Sequence, residues 1–132
     1  MSEQIYDLAI TGSVLQGDRL IDKTTLLIKN GKIAGITRAS AEYAAQKHIQ
    51  AKGKMILPGA IDSHVHSLSY PGEGFSNATR SACAGGVTTI VDMPVDAPAG
   101  VATPEVFEAK KALLEKESYV DVALLASVKN HT

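Results

Sequence analysis

The sequence predicts an α/β protein in which a small antiparallel β-sheet precedes parallel strands that are joined by helices. Three features lead to this prediction. An Asn-Gly pair between two apolar runs, Asn30-Gly31, is the strongest short-range signal for a β-hairpin. A strand, loop, helix, strand pattern follows, and after it come a second helical pattern and a third β-rich run. Such an alternation is typical of βαβ units, whose strands run parallel.

Composition limits the class of protein. The chain has 132 residues, of which 45% are hydrophobic and 20% are charged, as in folded globular proteins. A formal net charge of -1 offers no basic surface, so we expect no nucleic-acid partner. We also expect no membrane partner, because no apolar run approaches 18 residues. A single cysteine, Cys83, and the lack of a secretory pattern at the start favour a cytoplasmic protein.

Residues 1–54 are predicted to form a small β-sandwich-like domain, of which the chain contains at least a part. Apolar and polar residues alternate near the start, and the Asn30-Gly31 pair predicts a hairpin with its returning strand at residues 32–36. Residues 40–48 favour a short helix or a polar connection, because they are rich in Ala and Gln. Residues 49–55 return as a strand that includes a turn at Lys52-Gly53-Lys54.

Residues 55–132 are predicted to form parallel strands and their connecting helices. A strand at 55–65 is apolar on both faces, as expected when both faces are covered. A helix from Phe75 to a stop at Gly85-Gly86 and a strand at 87–93 follow. A second helix begins after Thr103, and a strand at 119–128 comes after it. The buried stripe of the second helix is predicted to consist of Val106, Ala109, Leu113 and Leu114. Cys83 falls on the apolar stripe of the first helix, so we expect a packed thiol.

Three parallel strands and two helices do not form a closed architecture. A complete (β/α)8 barrel needs about 250 residues. We therefore expect this chain to be the N-terminal portion of a longer protein, with an incomplete barrel.

The candidate site lies in residues 56–66, which read ILPGAIDSHVH. In a strand alternate side chains share a face, so Asp62, His64 and His66 are predicted to project the same way. Two imidazoles about 7 Å apart along one face can chelate a metal ion, and a nearby acid can orient them. The alternative, a pair of ordinary histidines near a strand end, stays open for a bare His-x-His motif.

Three segments together resemble the amidohydrolase superfamily, and within it the cyclic-amide hydrolases. They are KNGKIAGI at 29–36, PGAIDSHVH at 58–66 and EGFSNATRSACAGGVTTIVDMP at 73–94. The group includes allantoinases, dihydroorotases and the hydantoinases or dihydropyrimidinases. The resemblance implies that residues 55–132 are the first strands and helices of a (β/α)8 barrel. It also implies hydrolysis of a small cyclic amide by a metal-activated hydroxide.

The resemblance assigns roles to individual residues. His64 and His66 match the metal-binding histidines of the first barrel strand, and Asp62 matches a supporting acid. The family centre holds two zinc ions, although other divalent metals are possible. A carboxylated lysine, two further histidines and a general-base aspartate complete it, and their positions lie beyond residue 132. Lys129 and His131 are expected to be solvated residues instead.

The substrate is less closely defined by the resemblance. Glu73-Gly74-Phe75 and the Met93-Pro-x-Asp96 run look most like allantoinase, and Asp96 is a candidate substrate-binding residue, although an Asn is usual there. Dihydroorotase carries an arginine shortly after the second histidine, whereas residues 67–70 here contain no cation. A hydantoinase-like hydrolase and a non-catalytic homologue that self-associates through its strand edges remain alternatives. We expect a homo-oligomer, either a dimer or a tetramer.

Residues 1–132 alone are expected to be catalytically inactive and to bind zinc weakly and substoichiometrically, because two histidines cannot hold a binuclear centre. Metal analysis after dialysis and an allantoin ring-opening assay check this. Tight binding of two metal ions per chain, or turnover of allantoin, would contradict the expectation.

Overall fold

The computed structural model describes residues 5–96 and 100–128, and the chain divides into two compact units, Met1–Pro58 and Gly59–Thr132. Its fold is mixed α/β. None of the described helices is both long enough and apolar enough to cross a membrane. Lys129 and His131 lie outside the described residues. The strands and helices, in chain order, are β1 (Ile5–Gln16), β2 (Arg19–Lys29), β3 (Lys32–Arg38), β4 (Ala44–Ile56), β5 (Ala60–Val65), α1 (Gly74–Ala84), β6 (Val87–Asp92), α2 (Pro104–Glu117) and β7 (Asp121–Leu124).

The described part of the first unit contains a four-stranded sheet with the order β3-β2-β1-β4. The pairs β1–β2 and β2–β3 are antiparallel, as predicted. However, β4 pairs in parallel with β1, so the prediction of a wholly antiparallel sheet is wrong. The reason is the connection after β3, which takes the chain to the opposite edge of the sheet, where β4 enters in the same direction as β1.

The predicted hairpin at Asn30-Gly31 is confirmed, and both turn residues have positive φ, 52° for Asn30 and 70° for Gly31. Asp7 of β1 stabilises this turn through hydrogen bonds. Its carboxylate accepts hydrogen bonds from the Asn30 amide at 2.7 Å and from the Lys29 ammonium at 3.0 Å. The bond from the Asn30 backbone, followed by that from Lys29, lowers the pKa of Asp7 below its ordinary value.

The helical alternative for residues 44–48 is wrong, because these residues are the start of β4. Pairing with β1 over that stretch outweighs the slight helical preference of Ala and Gln. The turn predicted at residues 52–54 is also wrong, since the strand continues through it. Gly53 has a φ of 72° there, and the β1–β4 register shifts as it does at a bulge.

The described part of the second unit contains a parallel sheet with the order β5-β6-β7, and α1 and α2 provide its connections. Phe75, Ile90 and Val101 form its buried apolar core. The predicted stop of α1 at Gly85-Gly86 is confirmed. The predicted cap of α2 is confirmed too, because the Thr103 hydroxyl accepts a hydrogen bond from the Val106 amide.

Four predictions about this unit need correction. The strand expected at 55–65 is two elements, since β4 ends at Ile56 and β5 begins at Ala60. The strand expected at 119–128 is shorter, Asp121–Leu124. Cys83 is exposed rather than packed, and it lines an open cavity together with Val87 and Tyr119. In α2, Val106 and Ala109 are exposed and the two leucines are half-buried, whereas Lys110 is buried.

Substitution of Asp7 by Asn is expected to lower stability at neutral pH and to reduce the loss of stability in acid. Because the folded pKa of Asp7 is depressed, its contribution is present above the unfolded value and disappears as pH falls through the folded one, in the acid range below the ordinary value of 3.8. Urea unfolding midpoints measured across that range check this. Asp18→Asn is the matched control, because the Asp18 side chain is 95% exposed. Equal acid sensitivity of Asp7→Asn and the unsubstituted chain would contradict the account.

Candidate metal centre

The two histidines of the Asp-x-His-x-His motif converge at the carboxyl end of β5. The Nε2 atoms of His64 and His66 lie 3.1 Å apart, and the ring centroids are separated by 5.0 Å with a tilt of 56°. His64 is exposed and His66 is half-buried. The prediction that both imidazoles point the same way is confirmed. Their role as metal ligands stays a prediction.

The spacing of the two nitrogens fits a divalent metal ion. Tetrahedral zinc with Zn–N distances near 2.05 Å separates its ligand nitrogens by ~3.3 Å, and the observed separation is 3.1 Å. Within the described residues no group of three or more His, Cys, Asp or Glu side chains is placed to hold a metal. The pair therefore supplies two ligands of a site that requires at least one more from elsewhere.

Asp62 does not share the face of the histidines, so that part of the sequence prediction is wrong. Asp62 pairs with Ile90 of β6 and Val65 pairs with Asp92, which leaves two residues of β5 opposite one residue of β6. This bulge interrupts the alternation, and Asp62 and Val65 both line a cavity against α1. The Asp62 carboxylate accepts a hydrogen bond from the His64 amide at 3.1 Å and so holds the bulge.

Ser69 determines which nitrogen of His66 carries the proton. Its hydroxyl donates to the carbonyl of Val95, and its oxygen lies 3.1 Å from Nδ1 of His66. Because a hydroxyl has one hydrogen, the Ser69 oxygen accepts from His66 Nδ1–H. The hydrogen-bond network thus places a proton on Nδ1, so that in the neutral form of the ring the Nε2 lone pair faces His64, as metal binding requires.

A buried charge cluster behind the histidines was missed by the sequence reasoning. Lys110 of α2 places its ammonium 2.5 Å from a carboxylate oxygen of Asp92 and 2.9 Å from one of Asp96. It also donates to the Met93 carbonyl at 3.1 Å. The side chains of Lys110 and Asp92 are 2% and 0% exposed. Charges this deeply buried persist when they are paired and hydrogen-bonded.

The signal for this cluster was present in the helical spacing. Lys110 follows Val106 by four residues and precedes Leu113 by three, so it falls inside the predicted apolar stripe of α2. A lysine at such a position needs a buried counter-ion or an exposed end. The structure places the Asp96 carboxylate against this lysine, and the role of Asp96 in substrate binding stays a prediction.

The comparisons with known proteins agree on one group. No family model matches the chain. It is 40% identical over 125 residues to an allantoinase of Deinococcus radiodurans, a match that covers 89% of this chain and 27% of that protein. It is 38% identical over 124 residues to a dihydroorotase of Methanosphaera stadtmanae, covering 88% of this chain and 28% of that protein.

A solved structure gives the same result. The L-hydantoinase (dihydropyrimidinase) from Arthrobacter aurescens superposes with a TM-score of 0.79 at 31% identity, over 90% of this chain and 27% of that one. The chain is similar to the cyclic-amide hydrolase group of the amidohydrolases. It spans about a quarter of the length of these relatives, 27% for the allantoinase. The described fold is thus similar to one portion of that L-hydantoinase structure.

The first residue of the second unit has room for no side chain. A Cβ atom built at Gly59 would lie 2.0 Å from Oγ1 of Thr88 and 2.6 Å from its Cβ. Because Thr88 belongs to β6, the absence of a side chain at Gly59 lets the chain enter β5 in close contact with its neighbouring strand.

Gly59→Ala is therefore expected to destabilise the protein by about 1–3 kcal/mol, the usual cost of overpacking, since β5 has to move away from β6. Thr88→Gly removes the atoms that collide and should recover much of that loss in the double variant. Unfolding free energies of the two single variants and the double variant test this as a cycle. Strictly additive effects would show that the close approach does not matter.

Proposed function

We propose that the protein to which this chain belongs hydrolyses the ring amide of a small cyclic amide, and that allantoin is the first substrate to test. The observation that carries the proposal is the pair of Nε2 atoms 3.1 Å apart, one of them assigned a free lone pair by Ser69. The names of the relatives support it, because allantoin, dihydroorotate and hydantoins are all small rings that contain an amide.

In this proposal His64 and His66 hold one ion of a centre with two zinc ions, and residues from outside the described part of the chain complete it. A divalent ion bound there would act as a Lewis acid, which activates water and polarises the amide carbonyl. The chain's own contribution is to present two imidazole nitrogens at the spacing that one ion requires. Asp62 supports them through the His64 backbone, and Ser69 orients the His66 ring.

We also propose that β5, β6 and β7 are the first strands of a (β/α)8 barrel, in which residues 55–132 take part, and that residues 1–54 belong to a separate small β domain. Three parallel strands in sequential order support the barrel. The position of the histidines supports it as well, because catalytic residues of such barrels lie at the carboxyl ends of the strands. The division of the chain between Pro58 and Gly59 supports two domains.

The charged residues near His64 and His66 favour a substrate without a carboxylate. Residues 67–70, which follow His66, contain no lysine or arginine. The ammonium of Lys110 is already engaged by two carboxylates. A carboxylated substrate such as dihydroorotate would lack a bidentate cation from this part of the chain, which favours allantoin or a hydantoin.

A substrate panel of allantoin, hydantoins, dihydropyrimidines and dihydroorotate tests the proposal on the full-length protein, first stripped of metal and then supplied with zinc. We expect ring-opening of allantoin or a hydantoin that depends on zinc. His64→Ala and His66→Ala should each reduce kcat/KM by more than the 10–100-fold typical of losing a residue that supports a metal ligand.

His48→Ala is the matched control, because His48 is an exposed histidine stacked on Tyr43 in the first unit. It should retain the activity and the metal content of the unsubstituted protein. Metal-independent turnover, or full activity in His64→Ala, would refute the proposed site.

A further inference from the structure

Two chains of hydrogen bonds lead from the buried ammonium of Lys110 to His66. The first passes through the backbone. Lys110 pairs with one oxygen of Asp92, and the other oxygen accepts from the amide of Ser67 at 2.8 Å. Ser67 directly follows His66 in the chain, so this path fixes the main chain at the histidine.

The second chain of hydrogen bonds ends on the ring. Lys110 binds the carbonyl of Met93 and the carboxylate of Asp96, which lie on either side of Pro94-Val95. The Val95 carbonyl accepts from the Ser69 hydroxyl, which in turn accepts from Nδ1–H of His66. The ammonium therefore holds the short loop whose carbonyl sets the tautomer of the His66 ring.

A neutral side chain could not replace the ammonium in both paths. Asp92 is fully buried, and a buried carboxylate that loses its counter-ion has to take up a proton, rearrange or reach water. Rearrangement or hydration would release the Ser67 amide. The Met93 carbonyl and the Asp96 carboxylate would lose their common donor at the same time.

We propose that Lys110 is a positioning residue for the histidine pair, which acts on His66 through Asp92 and Ser67 on one side and through the Met93–Asp96 loop and Ser69 on the other. The purpose of this role, which is to prepare His66 for a metal ion, rests on the proposed function. The geometry of the metal-free ring provides a test that does not depend on that function.

The test compares Lys110→Met and Ser69→Ala with the unsubstituted full-length protein. Imidazole nitrogen NMR of the metal-free protein at about pH 8, where an ordinary imidazole is neutral, reports the His66 tautomer. We expect protonated Nδ1 in the unsubstituted protein and a mixture of tautomers in both variants. Zinc affinity should fall about 10–100-fold in each. The visible spectrum of the cobalt-substituted protein should also change, because the geometry of the His66 ligand changes.

Lys111→Met is the matched control, since Lys111 is the next residue on α2 and its side chain is 49% exposed. It should leave the tautomer, the zinc affinity and the cobalt spectrum unchanged. Asp96→Ala is a milder variant, because it removes the acceptor on the loop while the buried Asp92–Lys110 pair keeps its charge balance. It should disturb the ring tautomer even if Lys110→Met fails to fold.

A folded Lys110→Met protein with unchanged tautomer, zinc affinity and cobalt spectrum would overturn the proposal, and so would a folded Asp96→Ala protein with an unchanged tautomer. Loss of stability alone would show that the cluster merely holds α2 in place. If the unsubstituted protein hydrolyses no cyclic amide while the variants still alter the His66 tautomer, the proposed function fails and the positioning role stands.

Discussion

Two imidazoles can share one metal ion only if both rings turn to the same point and each presents a lone pair to it. In this chain the structure meets the first requirement for both rings and the second for His66. Alternation along the chain places His64 and His66 on one side, with their Nε2 atoms 3.1 Å apart. The Ser69 hydroxyl assigns the proton of His66 to Nδ1, so that Nε2 carries the free lone pair. The candidate centre depends on this convergence.

The cluster of Asp92, Asp96 and Lys110 shows how the convergence is supported. Burial of three charged groups is costly, and an apolar replacement of similar volume is often as stable. A role in holding the His66 backbone and the loop that carries Val95 gives a reason for keeping them. Apolar side chains would fill the same space, but they would provide no donor for the Met93 carbonyl and no acceptor for the Ser67 amide.

Local patterns in the sequence predicted much of the fold. The Asn30-Gly31 hairpin, the Gly85-Gly86 stop and the Thr103 cap each depend on a few neighbouring residues, and all three are confirmed. The start of β4 was not predictable in this way, since its strand form depends on pairing with β1, about forty residues earlier in the chain. A slight helical preference was the only local signal there.

The candidate site was also predictable only where it depends on neighbouring residues in the sequence. Alternation along a strand correctly brought His64 and His66 together, but it also placed Asp62 with them. The bulge that separates Asp62 is visible only in the register between β5 and β6. The burial of Lys110 likewise depends on the carboxylates of Asp92 and Asp96, which lie at least fourteen residues away in sequence. Long-range partners, rather than local preference, decide these features.

Anomalous diffraction at the zinc absorption edge, from crystals of the full-length protein grown with zinc, is the most direct measurement of the central claim. The convergence of the two rings predicts an anomalous peak about 2.0–2.1 Å from the Nε2 atoms of both His64 and His66. Zinc bound elsewhere, zinc on one of the two rings alone, or rings turned apart in the crystal would contradict it.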